Sequence, residues 1–186
     1  MTKEISIMSA GDIELSDTVI VSDPCYRRDT WCNAKDVAVK PGKYATYIVN
    51  KDEREGGISI PSLIVVHTDF VKSLKNNWEP YDCTIGIDSG LCGIFDDAAY
   101  PDYGYTTGDY DDRDSLFGEC CALTPNRPYG GILRDRNGVV SSSGHCGGDS
   151  VLLCQYHAGE RIALMVDFGL EQIDVIMGAL IEHLGL

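Results

Sequence analysis

Positive charge is scarce in this chain: 15 Lys and Arg stand against 29 Asp and Glu, a formal net charge of −14. Proteins that grip nucleic-acid backbones set Lys and Arg against phosphate, so general DNA or RNA binding is excluded. Long apolar runs are missing too, and none nears the roughly 20 residues that a membrane-spanning helix requires. No GxxxxGK[ST], GxGxxG, HExxH or GxSxG stretch occurs. P-loop, dinucleotide-binding, zincin and α/β-hydrolase chemistry therefore lose their sequence support. CxxC is absent, and the nearest cysteine spacings, Cys25 with Cys32 and the vicinal Cys120-Cys121, do not suit structural zinc. Asp109, Asp111 and Asp114 fail the calcium-loop pattern because Arg113 stands where a ligand is needed. The expectation is no metal and no cofactor.

What is present describes an ordinary globular chain. Hydrophobic residues make up 44% of the 186 residues, too many for disorder and enough for one unaided core. No repeat, linker or composition break divides residues 1–186, which predicts a single domain. Met1-Thr-Lys-Glu leads into alternating, strand-like residues instead of a charged start and an apolar stretch, so no secretory signal is expected. The eight cysteines sit in apolar or strand-like contexts such as LLCQY and GLCGIF. They read as reduced, buried thiols of a cytoplasmic protein.

Hydropathy alternation predicts strands through most of the chain. Ile5–Met8 and Ile13–Leu15 flank a turn at Gly11, and Thr18–Ser22 ends at Asp23-Pro24. Lys43–Asn50 follows the Pro41-Gly42 turn. Ile58–His67 comes next, with Pro61 marking an edge or a bulge. Thr84–Ile87 and Leu91–Phe95 form a hairpin about Asp88-Ser89-Gly90. Asn137-Gly138 and His157–Glu160 close two further hairpins. A short central helix is expected over Asp69–Trp78, capped by Asp69, with Phe70, Leu74 and Trp78 on one face. The best helix is 171–184, with Ile173, Ile176, Met177, Leu180, Ile181 and Leu184 on its apolar face and Gly185 past its end. The fold class is α+β: predominantly antiparallel, sandwich-like β-sheets with a short central helix and a C-terminal amphipathic helix. Residues 96–114 carry Asp96, Asp97, Asp109, Asp111, Asp112 and Asp114 with interleaved tyrosines, and read as an acidic surface loop.

Three stretches in order carry a likeness: Val21-Ser-Asp-Pro-Cys-Tyr26 with Val39-Lys-Pro-Gly-Lys-Tyr44, Ile87-Asp-Ser-Gly-Leu-Cys-Gly-Ile-Phe-Asp96, and Val139-Val-Ser-Ser-Ser-Gly144 with the Val151–Phe168 hairpin behind it. The set resembles small bacterial and bacteriophage proteins related to domain of unknown function forty-two forty-one, from about Val21 to Phe168. Leu91 stands where that group carries glutamine. His145-Cys-Gly-Gly-Asp149 replaces its GDG turn, and the helix from Glu171 is an addition. The resemblance implies a phage or mobile-element context, hence a host-cell cytoplasm, and no mechanism.

The candidate binding loops hold Asp23, Tyr26 and Arg27 after one strand, Asp88 and Ser89 in a hairpin turn, and Ser143 and His145 after another strand. If these loops converge, they line one end of the sheet. The leading expectation is a non-enzymatic acidic binding protein, without catalytic residues, that captures or blocks a host component, in particular a defence component, through a basic protein surface or a small ligand. Three alternatives stand beside it. One is a hydrolase using Asp88, Ser143, His145 or Cys146. Another is sequestration of a small signalling nucleotide by Arg27 and Arg28, or by Arg134 and Arg136. The third is a structural or assembly role in which the Ile173–Leu184 helix gives a homo-oligomer face.

Overall fold

A computed structural model describes residues 4–101, 109, 111–126, 128–144 and 147–186. Eleven strands and two α-helices occur among them, in the order β1 (Ile5–Leu15), β2 (Thr18–Ser22), β3 (Ala34–Ala38), β4 (Gly42–Asp52), β5 (Ile58–His67), β6 (Glu79–Ile87), β7 (Leu91–Asp96), α1 (Leu116–Leu123), β8 (Gly130–Ile132), β9 (Gly138–Ser142), β10 (Gly148–His157), β11 (Glu160–Asp167) and α2 (Ile173–Leu184). The strands form a six-stranded sheet, β1-β4-β5-β11-β10-β6, and a five-stranded sheet, β3-β2-β7-β9-β8. Every pairing in both is antiparallel. The α+β, sandwich-like architecture read from the sequence is the one observed.

Several strands are apolar on both faces, and the layering explains why. Val19, Val21, Ile48, Leu63, Val65, Ile94, Val139 and Leu164 meet between the two sheets. Their chain neighbours point the other way, because successive side chains alternate across a strand. Tyr47, Val49, Ile64, Val66 and Met165 pack beneath Ile176, Met177 and Leu180 of α2. Ile20, Phe95 and Val140 pack beneath Cys120 of α1. The order of layers is thus α2, six-stranded sheet, five-stranded sheet, α1. The apolar face of α2, considered above as an oligomer face, is covered by its own sheet.

Several local expectations need correction. β1 is one strand, not two around a turn: its register shifts between Ser9 and Gly11, with Gly11 at φ +117°, so the glycine makes a bulge. Pro61 lies in the interior strand β5, opposite a register shift in β4, so it marks a bulge and not an edge. Residues 69–78 form only a 3₁₀ segment, Thr68–Ser73, because Leu74 is extended at φ −57°, ψ 135°. Its cap is His67, whose ring accepts from Asp69 N, and not Asp69. In the 133–137 turn it is Arg136, at φ +57°, that takes the left-handed conformation. Gly138 is already strand, and a Cβ there would lie 2.7 Å from Phe95 Cδ1.

α1 was not expected at all. Its start is fixed by Ser115, whose Oγ accepts from Gly118 N at 3.1 Å. Asp96 ends β7 and Asp97 lies in the 3₁₀ segment Asp97–Ala99, both buried. The acidic surface therefore excludes these two, while Asp109, Asp111, Asp112 and Asp114 are exposed. No helix of the described residues is long and apolar enough to cross a membrane.

Candidate functional site

Asp23 directly follows β2 and is fully buried. A carboxylate without solvent must find donors, and this one has four. Its Oδ1 accepts from Cys25 N at 2.9 Å and from Ser89 Oγ at 2.6 Å. Its Oδ2 accepts from Asp88 N at 2.8 Å and Ser89 N at 2.6 Å. The lone pairs are fully used, so Asp23 braces the turn after β2 against the β6–β7 turn, 65 residues away in sequence. Ser143 N donates to Gly90 O at 2.9 Å, which adds the end of β9 to the same knot. The structure thus brings Asp23, Asp88, Ser89 and Ser143 to one end of the sandwich. His145 and Cys146 lie outside the described residues.

The described thiols are all shifted toward their protonated form. Burial, followed by the Asp23 carboxylate, pushes the Cys25 thiol up to about 12. Burial likewise raises Cys32, Cys83, Cys92, Cys120, Cys121 and Cys154. A thiol held protonated neither attacks nor ligates. Burial and a hydrogen bond to Asp88 also raise the Tyr26 phenol. The main chain at Tyr26 is anchored by Tyr100, whose hydroxyl donates to Tyr26 O at 2.8 Å. No group of three or more His, Cys, Asp or Glu suited to a metal ion occurs among the described residues.

Two of the four arginines considered for an anion pocket, Arg28 and Arg134, are engaged in ion pairs. Arg28 makes a two-pronged pair with buried Asp97, Nε–Oδ1 at 2.9 Å and Nη2–Oδ2 at 2.5 Å, and reaches Asp36 Oδ1 at 2.9 Å. Those carboxylates hold its guanidinium above the usual range. Arg134 pairs with Asp114 at 2.9 Å and Glu119 at 3.4 Å. Arg27 and Arg136 are exposed.

Between β2 and β3 the chain forms a tight loop tied to itself and to β6. Asn33, buried, donates from Nδ2 to Arg27 O at 2.8 Å, and Thr30 N donates to the same carbonyl at 3.0 Å. Cys32 O accepts from Gly86 N at 3.1 Å. This approach needs a glycine, because a Cβ at Gly86 would sit 2.9 Å from Cys32 Cβ. On this fixed loop Trp31 is 88% exposed. Sequence reasoning missed it, although a tryptophan inside the charged run Arg27-Arg28-Asp29-Thr30-Trp31, with no apolar periodicity to bury it, was a usable signal. Beside the brace, Ser89, Gly90, Leu91, Thr124, Pro125, Ser142 and Gly144 line a cleft of about 300 Å³.

No family model, no curated protein and no solved structure matches this chain.

Proposed function

We propose that the chain is an acidic binding protein, not an enzyme, that captures or blocks a basic protein surface through the 23–33 loop, with Trp31 as the anchor. The observation that carries this reading is the bare indole on a backbone already held in place. Water-exposed tryptophan is costly, and aromatic anchors on rigid supports dominate protein interfaces. The loop needs little ordering when a partner docks, since Asp23, Asn33 and Gly86 already fix it. Asp29 and Asp36 on the loop side already pair with Lys35 and Arg28, so it is exposed Asp82 and Asp88, on the facing β6 and its turn, that favour a cationic partner. The resemblance to phage-associated proteins adds a setting in which the target is a host component. The small-ligand alternative falls to the 300 Å³ cleft, whose hydroxyls and Leu91 suit a neutral molecule better than a nucleotide.

The test compares immobilised wild type with Trp31→Ala for the basic proteins each recovers from host cytosol, followed by titration of the purified partner. The substitution is expected to weaken Kd by about 2 kcal/mol, roughly thirtyfold, with the unfolding midpoint unchanged. Equal affinity for both forms overturns the reading.

A further inference from the structure

The first half of β1 is an open sheet edge. Glu4 O accepts from Asp52 N at 3.0 Å, and Ser6 and Met8 stand opposite Asn50 and Ile48. Antiparallel alternation then turns the main-chain N–H and C=O of Ile5, Ile7 and Ser9 away from β4. Among the described residues no strand lies on that side. The other edges are guarded. β6 carries Glu79, Pro80 and Asp82 and is tied at Gly86 to Cys32; β3 carries Lys35 and Asp36, the latter at φ +54°; β8 is three residues long. The later half of β1 is itself closed by Glu14 N on Arg136 O at 2.8 Å. Among the described edge strands, only Ile5–Ala10 offers a neutral stretch longer than three residues without charge or proline.

We infer that this edge accepts an added strand from a partner protein, with a Lys or Arg of that strand seated in an acidic cleft at its start. The cleft, about 300 Å³, lies on the sheet face over β1, β4 and β5, lined by Glu4, Ser6, Asp52 and Ile58, so the basic side chain reaches it across β1. Main-chain hydrogen bonds supply affinity in such strand addition, and the side-chain cleft supplies selectivity. A second copy of this chain is the wrong occupant. A second copy would bring Glu4, Asp12 and Glu14, with Lys3 alone before them in the sequence, toward another molecule of net charge −14. The same excess charge protects an otherwise open edge from self-pairing while leaving it attractive to a basic strand. This surface is independent of Trp31, which sits by the opposite edge strand, β6.

The experiment is amide hydrogen exchange on the full chain with a synthetic peptide of alternating Thr and Val between terminal lysines, and with the same peptide ending in glutamates. Exchange at Ile5, Ile7 and Ser9 is expected to slow at least about tenfold with the lysine peptide, whereas Ser6 and Met8, already bonded to β4, change less. Asp52→Asn, at an exposed position, should weaken the effect, and Trp31→Ala should leave it intact. Unchanged exchange at a saturating concentration of the lysine peptide overturns the strand addition. Equal protection by the glutamate peptide overturns the cationic partner. Concentration-dependent protection without any peptide makes the occupant a second copy and overturns the choice made here.

Discussion

At the scale of single residues, Asp23 shows how a motif that suggests chemistry can serve construction. Four donors converge on its carboxylate from two turns, and each is a charge-assisted hydrogen bond. Asp23→Asn removes the charge and turns one acceptor into a donor facing N–H groups. It should cost roughly 2–3 kcal/mol in urea unfolding, while Ser89→Ala, which removes one of the four bonds, should cost about 1 kcal/mol. An Asn variant as stable as wild type would remove the bracing role. The grouping of Asp23, Asp88 and Ser89 was legible because SDP and DSG are turn chemistry, and turns gather at sheet ends. Arg28–Asp97 was not legible: it joins residues 69 apart, and nothing local distinguishes a buried carboxylate from the exposed ones beside it in sequence.

Elements were legible where one period dominates. The strands alternate, or run apolar through both faces, and the C-terminal helix repeats its stripe at helical spacing, so both were readable. α1 was hidden because Leu116, Phe117, Cys120, Cys121 and Leu123 give an eight-residue helix little polar face to contrast with its apolar one. The central segment failed for a different reason. Phe70, Leu74 and Trp78 repeat helically, but Leu74 is drawn into the cluster beneath α2 in an extended conformation, and β6 begins at Glu79. Tertiary burial overrode the local pattern. That cluster also makes α2 testable: Leu180, fully buried, should lose roughly 2–5 kcal/mol on truncation to alanine. Light scattering should return the same mass for Leu180→Ala and wild type, because the face it belongs to is already occupied by the six-stranded sheet. A fall in mass on this substitution would return the helix to the role of an oligomer face.

For the whole molecule, charge works in opposite directions on stability and on binding. Arg28, Lys35, Lys40, Lys43, Lys51 and Arg134 are held in ion pairs, so the surplus of carboxylates faces solvent largely uncompensated. Added salt weakens those pairs, yet Lys35–Asp29, Lys43–Asp12 and Arg134–Asp114 have well-exposed partners and contribute little each. The repulsion of a net −14 is spread over the entire surface and is screened as the Debye length falls from about 10 Å at 0.1 M to about 3 Å at 1 M. Screening of repulsion should win, and Tm should rise with sodium chloride. A partner drawn by the same carboxylates should show the reverse, its association slowing as salt rises while the Trp31 contribution to dissociation stays constant. Calorimetry across a salt series, set beside association and dissociation rates for wild type and Trp31→Ala, separates the two effects. A Tm that falls with salt would mean that the ion pairs, not the surplus charge, govern the fold, and the acidity would lose its claim to be kept for a partner.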